Sequence, residues 1–331
     1  MGKERIRFID LAKGIGIILM IAEHWIQKDF EGFSNLVCSF HMPFFFILSG
    51  MMHKNINTEE LLVKRTRSIM VPTLIYYLLD IIVVVAFSVF SIPNEDQLRN
   101  ILTFTRGSWF LITLFLTALL FNVFIRTFNG KCLPIFIIVI CCFVFGLITS
   151  IYKIPFDDNI KRSGIAIGFY FLGYMLSNHN FAEFIRKGDI FIRAIKISIL
   201  LLILGGLFLV KNDYMVLMYS NDYGNPFIFI CKSILGSVVV LSLCILIDHF
   251  GIIEKIGKLS LPMMIFSFPV YLSLKAVYNR VLADRVSGSS VGMIFTNVCL
   301  IVVVISITYL ISKLLDMKLP LFTGRYKKVK S

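Results

Sequence analysis

Apolar runs, each about as long as a membrane is thick when coiled into a helix, follow one another along this chain with short polar breaks between them. The pattern predicts ten helices, at roughly 8–27, 36–53, 69–91, 109–128, 133–151, 164–180, 190–210, 226–249, 258–278 and 291–315. The sixth run is short and rich in glycine, and the ninth is interrupted by Pro262 and Pro269. No soluble domain fits between the runs, and neither a sequence repeat nor a low-complexity tract is evident. The expected fold is all-α, a polytopic integral membrane protein forming a single domain over residues 1–331.

Composition sharpens this picture. Apolar residues make up 57% and charged residues 16% of the 331 positions, and the mean hydropathy is +0.84. Soluble domains average about 45–50% and about 25% respectively, so a soluble globular enzyme and a disordered chain are both excluded. The net charge of +13, from 33 Lys and Arg against 20 Asp and Glu, needs no nucleic-acid partner. With the N-terminus in the cytoplasm, basic residues favour the inward segments by roughly two to one, as cytoplasmic loops of membrane proteins do. Both termini are therefore expected in the cytoplasm of a multi-pass plasma-membrane protein, with the basic tail from Arg325 to Lys328 as an anchor near anionic lipid. No cleavable leader is expected, because the first apolar run carries Asp10, Lys13, Glu23 and His24. The seven cysteines lie in or beside apolar runs without metal-ligand spacing, which predicts buried free thiols and no metal. Oligomeric state is not legible.

Ionisable groups inside a membrane cost about 2.5–3.5 kcal/mol each on insertion scales, and they mark function by default. The first run holds the densest set. Lys13 and His24 are eleven residues apart, which returns a helix to within about 20° of the same face and separates them by about 16 Å along the axis. Lys13 then sits toward the cytoplasm and His24 near the outer end. The bland alternatives are a Lys13 paired with Asp10 or snorkelling to the surface, and an interfacial His24 beside an aromatic-belt Trp25. Glu23 points about 100° away from His24, so it need not be its partner and is free to face another helix. In the second run, Ser39-Phe40-His41-Met42-Pro43, His41 either precedes a helix that starts near Pro43 or lies inside one that starts at Ser34 or Asn35 and is kinked by the proline.

The segment Arg5–His24, "RIRFIDLAKGIGIILMIAEH", and the segment "SFHMPFFFILSG" resemble the acyltransferase family 3 membrane proteins, and within them the fucose 4-O-acetylase-like branch. The family pattern of a basic residue, ten residues and then histidine falls here on Lys13 and His24. Lys64 and Arg67 keep a basic-x-x-basic spacing before Pro72. Trp109-Phe110-Leu111 and "FYFLGY" at Phe169–Tyr174 resemble further family segments. In the late "HFP" segment, Ser267 stands where many members have histidine. The resemblance implies about ten spans and an O-acetyltransferase that modifies cell-surface or lipid-linked glycan, with acetyl-CoA as donor and no metal. Lys13, Lys64, Arg65 and Arg67 would hold the donor. His24 would act as general base or carry the acyl group, His41 would assist, bind the acceptor or hold structure, and Glu23 is a further catalytic candidate. Low alanine with high isoleucine, phenylalanine and lysine suggests an AT-rich bacterial genome.

Weaker signals remain. Asp80 falls mid-span and calls for a cationic partner such as Lys13 or Lys232. Asp80 and Trp109 are secondary candidates for substrate contact. The outward loops 152–162 and 211–226 carry acidic, basic and aromatic residues, which read first as solvated surface. Rival functions are a flippase or transporter of a lipid-linked sugar, a non-catalytic subunit of a glycan-assembly complex, and transfer of another short acyl group such as succinyl.

Overall fold

A computed structural model describes residues 7–26, 30–88, 104–210, 215–281 and 290–324. Among these there is no β-strand, only one isolated bridge between Leu217 and Asp222. The helices are α1 (Arg7–Ile26), α2 (Glu31–Met51), α3 (Thr58–Arg65), α4 (Val71–Ser88), α5 (Phe104–Thr127), α6 (Cys132–Ile151), α7 (Asp158–Asn178), α8 (Phe181–Arg186), α9 (Ile190–Leu209), α10 (Pro226–Ile247), α11 (Gly251–Lys258), α12 (Ser260–Val281) and α13 (Ser290–Lys318). A π-helical turn, Thr66–Met70, joins α3 to α4, and 3₁₀ turns lie at Met218–Ser220 and Pro320–Thr323.

Every one of the ten expected segments contains a helix. Among the described residues six stretches are long and apolar enough to cross a membrane: Glu31–Met51, Ser108–Thr127, Cys132–Ile151, Ile190–Leu209, Pro226–Ile247 and Ile294–Lys318. α11 and Ser260–Lys275, bent by 85° at their junction, pass the same test only when taken together. α1 departs from that apolar pattern because it carries Asp10, Lys13 and Glu23. The short α3, which the apolar pattern does not reveal, is stabilised by its charges. Glu59 and Glu60 sit in its first turn and Lys64 and Arg65 in its last, which opposes each charge to the helix dipole. α7 starts earlier than expected because Asp157 caps it, accepting hydrogen bonds from the backbone N–H of Asn159 and Ile160 at 2.9 and 3.1 Å.

The chain forms two compact units. The first comprises Met1–His41, Ala182–Met215 and Phe227–Leu319, and the second Met42–Phe181, Val216–Pro226 and Pro320–Ser331. In the first unit α1 packs closely on α11. A Cβ at Gly257 would stand 1.7 Å from the Asp10 carbonyl oxygen, and one at Gly14 2.2 Å from that of Ile253. Only glycine permits that approach of backbones. Nearly all of α9 is exposed, with 6% of its apolar stretch buried, which suits contact with lipid tails. In the second unit α7 packs on both α5 and α6. Gly146 and Gly164 meet there at equally short range, with added Cβ atoms 2.7 Å from the Lys161 and Cys142 oxygens.

All seven cysteines are free. Cys38 and Cys244 are buried as expected, but Cys132, Cys141 and Cys299 are exposed. An apolar run places a thiol in the hydrocarbon layer without deciding whether it faces protein or lipid.

Candidate functional site

The site in the first unit is built on α1 and α2. Glu23 is 1% exposed, and its Oε2 lies 3.1 Å from Nδ1 of the adjacent His24. The helical-wheel reading that turned Glu23 away from His24 is therefore corrected. The Cβ vectors diverge, but the two-carbon arm of glutamate brings its carboxylate round to the neighbouring ring. The His24 side chain is 43% exposed. It borders a small cleft with Ile21, Ser267, Phe268 and Tyr271. A carboxylate accepts but does not donate when ionised, so Glu23 holds the proton on Nδ1 and leaves the lone pair on Nε2.

α2 supplies the other side of the carboxylate. The Cys38 thiol and the His41 ring both lie within electrostatic reach of Glu23. His41 is 5% exposed, and its Nδ1 is 2.7 Å from the Val37 carbonyl. A carbonyl only accepts, so Nδ1 carries the hydrogen. α2 starts at Glu31, ahead of both expected starts, and runs through Pro43, so His41 lies inside the helix. Proline has no N–H for the carbonyl four residues back, which is that of Ser39. Ser233 on α10 donates its hydroxyl to this carbonyl at 2.6 Å, so the proline opens no unsatisfied group in the core.

Trp25 is 2% exposed, not in an aromatic belt. Its Nε1–H donates to Asn297 Oδ1 at 2.9 Å. Tyr271 and Tyr278 approach it edge-on, and the Lys275 ammonium lies 4.9 Å from its ring centre. This packing secures the end of α1 beside His24. On α10, Lys232 is 1% exposed.

The site thus contains an imidazole oriented by a buried carboxylate at a cleft in a membrane protein. A family model described as an acyltransferase domain matches residues 6–313. The chain belongs to acyltransferase family 3. No curated protein and no solved structure matches it.

In this acyltransferase the other expected residues fall as follows. Lys13 lies on α1, half-buried, and engages in a polar contact. Lys64 pairs with Glu60 one turn earlier on α3. Arg67 is exposed on the π-helical turn, and Arg65 lies close to the Tyr170 hydroxyl of α7. Trp109 stands at the start of the apolar part of α5, against Arg162. The Asp80 side chain lies outside the described residues, as do the tail from Arg325 and residues 211–214.

Ser267, which stands where the family has histidine, lines the same cleft as His24, and only the fold brings these helices together. One group, His53, escaped the sequence reading: it lies at the end of the second apolar run, just past the end of α2. Its Nδ1 is 2.9 Å from the Tyr170 hydroxyl, and Phe121 and Tyr174 pack on its ring. Burial, reinforced by the positive charge of Arg65, pushes its pKa down to about 4.

Proposed function

We propose that this acyltransferase moves an acetyl group from cytoplasmic acetyl-CoA to a hydroxyl of a cell-surface or lipid-linked glycan in a bacterial plasma membrane. The supporting observation is the Glu23–His24 pair beside a cleft, with the buried carboxylate 3.1 Å from Nδ1, an arrangement that sets a neutral ring's proton on Nδ1 and its lone pair on Nε2. In one route Nε2 takes the acceptor hydroxyl proton as that oxygen attacks the thioester carbonyl. The C–S bond then breaks, and the imidazolium returns its proton to the CoA thiolate. In the other, Nε2 attacks the thioester and CoA leaves as the thiolate; the acceptor hydroxyl then attacks the acyl-imidazolium, frees the ring, and gives up its proton to the thiolate. In both, Glu23 stabilises the positive ring.

Lys64, Arg65 and Arg67 are assigned the donor's phosphates, for which cations with several N–H donors are suited. Lys13 is assigned the donor's path along α1, and His41 the support of Glu23. Trp109 is assigned to the acceptor. The topology that goes with this reading is ten spans with both termini cytoplasmic.

The test is radiolabelled acetyl-CoA supplied to membranes that contain wild-type or His24→Ala protein at matched levels. Alkali-labile label in glycan or lipid-linked sugar that depends on His24 supports the reading. Equal labelling by both proteins overturns the catalytic role of His24. Sugar movement across the membrane without CoA points instead to a flippase. Label retained on wild-type protein incubated without acceptor selects the acyl-imidazole route.

A further inference from the structure

Two cations are buried where solvated surface was expected. Lys161 and Arg162, in the first turns of α7, are 7% and 4% exposed. Their nearest carboxylate, Asp158, is shared and loosely held: Lys161 Nζ is 3.7 Å from Oδ1, and Arg162 Nη2 is 3.9 Å from Oδ2. The Asp158 side chain is itself 58% exposed. Asn221 also donates its amide to Asp158 Oδ1 at 3.0 Å. Asp157 is within electrostatic reach of Arg162, but its carboxylate accepts from the two backbone N–H groups of the α7 cap. The negative charge therefore lies on the solvent side and the positive charge below it.

The guanidinium is positioned but not saturated. Its carbon stands 5.6 Å from the Trp109 ring centre, a cation–π distance. Nη1 donates to Asn159 Oδ1 at 3.3 Å. Nε is buried and has no acceptor among the described residues. The hydroxyls of Ser163, the following residue, and of Thr113 and Thr117, one and two turns along α5 from Trp109, are buried and have no partner among the described residues. Tyr223, 3% exposed, donates its hydroxyl to Asn221 Oδ1 at 3.3 Å. Burying charge and hydroxyl groups with unspent capacity is costly unless something meets them.

This cluster is not the proposed donor site. Twelve residues of α5 separate Trp109 from Phe121, which packs on Tyr170 and His53. That is roughly 18 Å along the helix.

We propose that Arg162 and Lys161, set against Trp109 and the Asn221–Tyr223 turn, bind the acidic group of a saccharide, a phosphate or carboxylate. The arginine fork takes two oxyanion atoms, Lys161 adds charge, and the neutral hydroxyl and amide groups face the sugar's own hydroxyls. The inference rests on the acyl-transfer reading only in naming that saccharide as the acceptor, which the site would select for being acidic.

The chain contains two tryptophans, so Trp25→Phe protein reports on Trp109 alone. Full-length protein in neutral-lipid nanodiscs is titrated with glucuronate, glucose 1-phosphate, glucose and inorganic phosphate, with Trp109 fluorescence as readout. Glucuronate and glucose 1-phosphate are expected to bind at least tenfold more tightly than either glucose or phosphate. Arg162→Gln is expected to lose at least tenfold of that affinity, and Lys161→Gln less. Equal responses to glucose and glucuronate in otherwise unaltered protein overturn the proposal without any site variant. So does phosphate binding as tightly as glucose 1-phosphate, which marks a plain anion site, and so does undiminished binding by folded Arg162→Gln. His24→Ala protein is expected to bind these sugars normally. Loss of acetyl transfer with binding retained would thus separate this site from the catalytic claim, and failure of binding would leave the catalytic claim standing.

Discussion

Two histidines of this acyltransferase show what an imidazole becomes in different company. His24 has a buried carboxylate at Nδ1 and an exposed edge at a cleft. His53 has a neutral hydroxyl at Nδ1 and aromatic rings around it. A carboxylate welcomes the positive ring that base catalysis creates, whereas an aromatic box beside Arg65 refuses it. On the proposed reading the same side chain transfers protons in one place and holds structure in the other. Histidine content alone does not distinguish them. The partner at Nδ1 does.

The comparison is broken most directly by removing the rings. His24→Ala is expected to lower acetyl transfer by about 10²–10⁴-fold, the range of general acid–base contributions, while leaving the unfolding temperature near that of wild type. A variant that keeps full rate would reduce His24 to the status of His53. Removing only the charge next to His24 is gentler. Glu23→Gln keeps the shape but offers no negative charge to the imidazolium, and a loss of about 10–100-fold is expected by analogy with carboxylate supports of histidine ligands.

His53 makes the contrasting prediction. Its pKa of about 4 lies below the ordinary 6.5, so as pH falls the unfolded chain takes up the proton first. The stability present above pH 6.5 is then lost progressively down to about pH 4, by up to about 3 kcal/mol. Thermal unfolding in detergent at several pH values should show this slope in wild type and a shallower one in His53→Gln. Transfer at neutral pH should change little, because the ring is already neutral there. The smallest effect expected is at Ser233. Removing its hydroxyl leaves the Ser39 carbonyl without a partner, and Ser233→Ala should cost about 1–3 kcal/mol in stability, read as a lower unfolding temperature.

Much of the fold could be read from apolar runs, because a membrane helix announces itself by length and hydropathy. What could not be read was set by side-chain reach and by pairing across the chain. The Glu23–His24 pairing is invisible on a helical wheel, which records Cβ directions and ignores the length of the arm. The place of Ser267 beside His24 depends on how α1 and α12 meet. Lys161 and Arg162 read as loop residues in the apolar pattern, because the Asp157 cap, a single polar residue, sets the start of α7. Lys13, His24 and the basic segment around Arg65 were visible because charge is rare in such a chain.

The serine hydroxyl that covers the carbonyl freed by Pro43 ties together positions with no common local pattern. Ser233 and Ser39 are separated by 194 residues. With Pro43 in place, loss of the serine strands a carbonyl. With an alanine at 43, the helix can close its own ladder and the serine becomes dispensable. The two substitutions should therefore be non-additive in a double-mutant cycle, with Pro43→Ala partly suppressing Ser233→Ala. In evolutionary terms position 233 is free to drift only after position 43 has changed, so the order in which mutations arrive decides which of them survive.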